Sequence, residues 1–121
     1  MSDGTDPLRG SEDRIVGEEE AGPRELRIVN KKGLHARASA RFVETVQAHD
    51  ATVLVEKDGE EVSGTDLLGL LMLAGTQGTT IEVSATGPDA RPALDALEAL
   101  VTDGFGEETQ GAEEGEVQRG A

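Results

Sequence analysis

His35 follows Gly33-Leu34 and precedes Ala36-Arg37, with Lys31 and Lys32 before it and Arg41 one helical turn beyond Arg37. The spacing predicts a helix beginning at Ala36, which puts His35 at its N-cap. A helix start presents unpaired backbone N–H groups, here those of Ala36 and Arg37, and the positive end of the helix dipole. That setting opposes a protonated imidazole and suits a dianion. The ring therefore keeps a free nitrogen near neutral pH and can act as a nucleophile. A phosphoryl group carried on it would meet the helix amides and the Arg37 guanidinium, which can contact two phosphate oxygens. No second acid or base and no enclosed pocket, as a self-sufficient hydrolase requires, accompanies them. By position alone a lone histidine at a turn is more often an ordinary exposed residue; the dipole site and the clustered cations bring the functional reading level with it. The second histidine, His49, falls at the far end of the same helix, where capping of the negative dipole end is the simpler reading.

The elements that must position His35 can be read from periodicity. Leu26 and Ile28 alternate with Arg27, predicting a strand from about Arg24 to Val29. Lys31-Lys32-Gly33 forms a turn in which Gly33 takes positive φ. Ser39, Phe42, Val43 and Val46 stand at i, i+3, i+4 and i+7, one face of a helix from Ala36 to about Ala48. Val53 and Val55 lie in a β-rich run, and Asp58-Gly59 is a hairpin signal leading to a return strand near Glu60–Ser63. Asp66 is the expected N-cap and Gly75 the expected stop of a brief apolar helix. Ile81, Val83 and Ala85 mark another half-buried strand, broken at Gly87-Pro88. Ala90, Ala93, Leu94, Leu97, Leu100 and Val101 then mark a last helix ending near Gly104. The order β-α-β-β-α-β-α implies an α+β fold, an antiparallel sheet with helices on one face, although pattern alone also permits a ferredoxin-like pairing.

Composition bounds the remaining possibilities. The 121 residues carry 25 acidic and 11 basic side chains, a formal charge of −14. Residues 1–23 and 107–121 are acidic and nearly free of large apolar groups, so both are expected to be disordered extensions flanking a domain at 24–106. Within that domain, residues 24–41 hold six bases against the single acid Glu25, while 42–106 hold two bases against twelve acids. Positive charge is thus concentrated around His35. The absence of cysteine excludes disulfides, thiolate zinc sites and a cysteine nucleophile. No apolar run reaches the ~20 residues of a membrane span, and the acidic N-terminus is unlike a secretory signal. Two aromatics, Phe42 and Phe105, and a net negative charge argue against nucleic-acid binding. The expectation is a cytoplasmic monomer with no metal and no cofactor.

Lys32-Gly33-Leu34-His35-Ala36-Arg37-Ala38 resembles the active-site segment of the histidine-containing phosphocarrier (HPr) family of the phosphoenolpyruvate-dependent phosphotransferase system. The Asp58-Gly59 hairpin, Leu68-Gly69-Leu70-Leu71-Met72-Leu73 and Leu94-Asp95-Ala96-Leu97 follow in the family's order, so the resemblance spans about Arg24 to Gly106. It implies an open-faced sandwich, a four-stranded antiparallel sheet covered on one face by three helices. It also implies that His35 is phosphorylated on Nδ1 by a phosphohistidine of enzyme I, itself charged from phosphoenolpyruvate, and passes the group to a histidine of an enzyme IIA protein. Arg37 would stabilise the phosphate, and Leu67, Leu68, Leu71 and Met72 would dock both partners, with Arg41 steering acidic partner surfaces. Such a protein is a stoichiometric carrier with no turnover of its own.

The chain departs from the family pattern at two places. Ala38 stands where the family often has proline, a small change because alanine forms helix well. Asp66 stands where many HPr proteins carry a serine phosphorylated by a kinase. A carboxylate cannot accept that phosphate, and as a permanent anion it partly imitates the modified serine. Sugar uptake and a regulatory phosphotransferase branch both remain open, and the segment around His35 together with Asp66 favours the regulatory type. The alternative is an HPr-like regulatory module that only docks to partners; His35 beside Arg37 counts against it. An acyl or peptidyl carrier would need a serine just after an aspartate, and Leu67 follows Asp66.

Overall fold

A computed structural model of the chain describes residues 19–110. Four strands, β1 (Glu19–Arg27), β2 (Thr52–Lys57), β3 (Glu60–Ser63) and β4 (Thr80–Gly87), form one antiparallel sheet in the order β1-β4-β2-β3. Three helices, α1 (Ala36–Gln47), α2 (Leu67–Met72) and α3 (Ala90–Thr102), complete the β-α-β-β-α-β-α order. This is the α+β open-faced sandwich that the sequence implies, and the strand order decides against the ferredoxin-like alternative.

The alternating strand residues meet the periodic helix faces in one core. Leu26, Val53, Val55, Ile81, Val83 and Ala85 of the sheet are buried with Ala38, Phe42 and Val46 of α1 and with Ala93, Leu94, Leu97 and Val101 of α3. Leu26 lies opposite Ile81, and Val83 opposite Val55, so the apolar side chains of neighbouring strands share one face. The other face carries Glu25, Glu56 and Leu54, all exposed, and has no helix over it among the described residues. At the hairpin both Asp58 and Gly59 have positive φ, 53° and 86°, as a two-residue turn between twisted strands requires.

Three boundaries differ from the sequence reading. Strand β1 starts at Glu19, because Glu19, Glu20 and Ala21 pair with Gly87, Thr86 and Ala85, and the pairing resumes at Arg24 after an irregularity at Gly22-Pro23. A proline lacks the N–H a ladder needs, but β1 is an edge strand, where that loss is tolerated. Helix α2 ends at Met72, before Gly75, and the left-handed residue that follows it is Ala74 (φ 55°). Gly75 has a different job: a Cβ there would press on the Leu34 side chain, and its carbonyl accepts the Leu34 N–H at 2.9 Å. At the other end, residues 107–110 run back from a 3-10 turn at Gly104–Gly106 to lie against the loop before α1. The first 18 and last 11 residues, expected to be disordered, lie outside the described residues. No helix among the described residues is long and apolar enough to cross a membrane.

Candidate functional site

The site grows from the turn between β1 and α1. Gly33 has φ 66°, and a side chain there would collide with the Gly75 backbone. Glycine is thus required on two counts, conformation and close approach. Leu34 is buried beneath the turn, and the buried Ser39 donates its hydroxyl to the Leu34 carbonyl at 3.2 Å. These anchors leave His35 at the N-cap of α1 in an extended conformation, φ −82° and ψ −178°. The side chain caps the helix itself: the Arg37 N–H donates to His35 Nδ1 at 3.2 Å. An amide can only donate, so Nδ1 presents a lone pair toward the helix start.

The other ring nitrogen has a partner that the sequence reading missed. His35 Nε2 lies 2.7 and 2.9 Å from the two carboxylate oxygens of Glu107. Glu107 Oε1 also accepts from the fully buried Asn30 at 3.0 Å, and Arg37 Nε stands 3.5 Å from Oε2. The Glu107 side chain is only 14% exposed. Burial alone would push its carboxyl up. The hydrogen bonds from His35 and Asn30, the charge of the imidazole when protonated, and Arg37 outweigh this and hold it below the usual glutamate range.

The remaining residues named from the sequence divide by role. Lys31, Lys32 and Arg37 line a cleft of about 380 Å³ with Glu107 and Glu108, so the cations gathered around His35 do share one surface. Arg41 is drawn elsewhere: its guanidinium donates to the Phe105 carbonyl and thereby holds the 3-10 turn. Asp66 caps α2, accepting the Gly69 N–H at 2.9 Å. Leu67, Leu68 and Met72 are 42%, 65% and 72% exposed, while Leu71 is only half-exposed and Leu70 and Leu73 belong to the core. His49 faces back into its own helix end, its Nδ1 2.9 Å from the Thr45 carbonyl. Among the described residues no group of three or more His, Cys, Asp or Glu side chains is placed to hold a metal ion.

Asn30 and Glu107 escaped the sequence reading because they are 77 residues apart and meet only when the chain closes. The one signal for Glu107 was Phe105: in a chain with two aromatics, a phenylalanine in a Gly-Phe-Gly run is a candidate for burial, and its burial ties down the chain beside it.

Residues 23–103 match the family described as "PTS HPr component phosphorylation site". The chain belongs to the HPr family. It is 43% identical over 82 residues to the phosphocarrier protein HPr of Neisseria meningitidis, covering 68% of this chain and 92% of that one. It is also 43% identical over 84 residues to the phosphocarrier protein NPr of Escherichia coli, covering 69% and 93%. Among solved structures, HPr-C-His from Thermoanaerobacter tengcongensis superposes with a TM-score of 0.68 at 38% identity, covering 74% of this chain and 98% of that one. The matched residues include the turn at Gly33–His35 and the start of α1, and the family's shared role is that of a phosphocarrier in the phosphotransferase system.

Proposed function

We propose that His35 accepts a phosphoryl group on Nδ1 from the phosphohistidine of enzyme I, which is charged from phosphoenolpyruvate, and delivers it to a histidine of an enzyme IIA protein. The observation that carries this reading is the Nδ1 lone pair directed at the start of α1, beside Arg37. In the step, the lone pair attacks phosphorus and a new N–P bond forms. The donor's N–P bond breaks, and its electron pair returns to the donor imidazole. The Arg37 N–H leaves Nδ1, a long contact at 3.2 Å, and turns to a phosphate oxygen with the Ala36 amide and the Arg37 guanidinium. The reverse sequence, with a IIA imidazole as nucleophile, discharges the carrier.

The exposed Leu67, Leu68 and Met72 form the proposed docking face, with Leu71 at its half-buried margin. α1 packs against α2, so that face adjoins the helix that carries His35. The carrier works in the cytoplasm as a monomer and without a turnover of its own. Asp66 and the likeness to NPr support service in a regulatory branch, with sugar transport as the other destination.

The test is labelling of the full chain with phosphoenolpyruvate carrying radioactive phosphorus and catalytic enzyme I. The expected product is one acid-labile, base-stable phosphate, lost in His35→Ala while the variant stays folded. Label that survives in His35→Ala contradicts the reading.

A further inference from the structure

The tail segment 104–110 is held in place by more contacts than a solvating appendage needs. Gly104, Phe105 and Gly106 all have positive φ, 66°, 57° and 73°, and Phe105 is fully buried. A bulky residue in the left-handed region is rare and persists only where its surroundings fix it. Here Arg41 holds its carbonyl, the Lys31 N–H donates to the Glu108 carbonyl at 2.8 Å, and Gln77 donates to the Gln110 carbonyl at 3.3 Å. The side chain delivered by this strap is Glu107. Beneath it lies Asn30, fully buried, whose amide donates to Glu107 Oε1 and to the Gly33 carbonyl. Asn30 Oδ1 has no partner among the described residues, so this asparagine is kept in the interior for its donors.

We propose that Glu107 is a positioning residue for His35: by accepting a hydrogen bond from the Nε2–H it fixes the ring orientation and leaves Nδ1 as the nucleophilic nitrogen. This rests on the reading of His35 as phosphoryl acceptor. A carboxylate can only accept and the Arg37 amide can only donate, so the two contacts admit one neutral tautomer, protonated on Nε2. When Nδ1 bonds to phosphorus the ring becomes an N-phosphoimidazolium. Its Nε2 proton stays where it was, now between a cationic ring and a carboxylate, and Glu107 stabilises the charge that appears. The division of labour parallels that of an aspartate behind a catalytic histidine. The Arg37 guanidinium stands 3.5 Å from this carboxylate, and its positive charge offsets part of the repulsion between the carboxylate and a phosphate on Nδ1.

The experiment uses the full chain with ring-15N histidine, compared as wild type, Glu107→Ala and Glu107→Gln. NMR at a pH where the ring is neutral should show a single Nε2–H tautomer at His35 in the wild type. Glu107→Ala should show a mixture, and its phosphorylation by phospho-enzyme I should slow at least about tenfold in kcat with little change in KM. Glu107→Gln keeps an acceptor without the charge, so it should retain the tautomer and recover part of the rate. Thermal melts and amide spectra establish that each variant is folded, and Glu107→Gln serves if the alanine variant is not. A wild-type tautomer ratio or a wild-type rate in Glu107→Ala overturns the proposal. Absence of phosphate on His35 in the wild type would instead overturn the parent reading, and the tautomer populations would still report on Glu107.

Discussion

At His35 the two nitrogens of one ring meet partners of opposite kind, an amide donor in the next turn and a carboxylate from the far end of the chain. Half of this site was legible in the sequence. His35, Ala36 and Arg37 are neighbours, and the consequences of a helix start follow from local geometry. Glu107 and Asn30 are tertiary recruits, and no spacing rule links them to residue 35. Arg37 is exposed and its Glu107 contact is loose at 3.5 Å, so Arg37→Ala should change thermal stability little. Its loss should slow phosphoryl acceptance about tenfold or more, read in single-turnover transfer from phospho-enzyme I. Glu107 also sets a pH dependence. Its folded pKa is depressed, so its contribution to stability is full above the ordinary glutamate value of about 4.3 and is lost as pH falls through the lower folded value. Thermal melts across that acidic range should show a steeper loss for wild type than for Glu107→Gln; parallel curves would count against the buried carboxylate.

Among the elements, helices were easier to read than strand ends. The i, i+3, i+4, i+7 pattern placed α1 to within a residue, because a helix that buries one stripe must repeat it. Strand β1 began five residues earlier than its alternation suggested, since Gly22-Pro23 reads locally as a break and only its edge position reveals that the ladder resumes. The 3-10 turn was invisible for a related reason: glycine flanking an aromatic reads as loop, whereas here it permits three successive left-handed residues that drive Phe105 into the core. Phe105→Ala should therefore cost about 3 kcal/mol or more in denaturant titration and release Glu107 from His35. Asp66→Ala removes the cap of α2 and should cost about 1 kcal/mol, leaving His35 contacts unchanged by NMR. A loss of that size confined to α2, seen as faster amide exchange there, separates a capping role from a wider one.

For the whole molecule, charge and apolar exposure are segregated. An acidic protein gathers Lys31, Lys32 and Arg37 on the surface around His35 and places Leu67, Leu68 and Met72 on the helix packed beside α1. Large exposed apolar side chains grouped in this way mark an interaction surface. A charge at the centre of the proposed docking face, Leu68→Glu, should raise the KM for phospho-enzyme I several-fold, while stability stays within about 0.5 kcal/mol of wild type. An unchanged KM would place docking elsewhere. The central claim is that phosphate resides on one nitrogen of one histidine. With ring-15N histidine and phosphate supplied through enzyme I, nitrogen–phosphorus coupling should appear at His35 Nδ1 alone. Coupling at His35 Nε2 or at His49, or no N–P bond at all, would contradict the account.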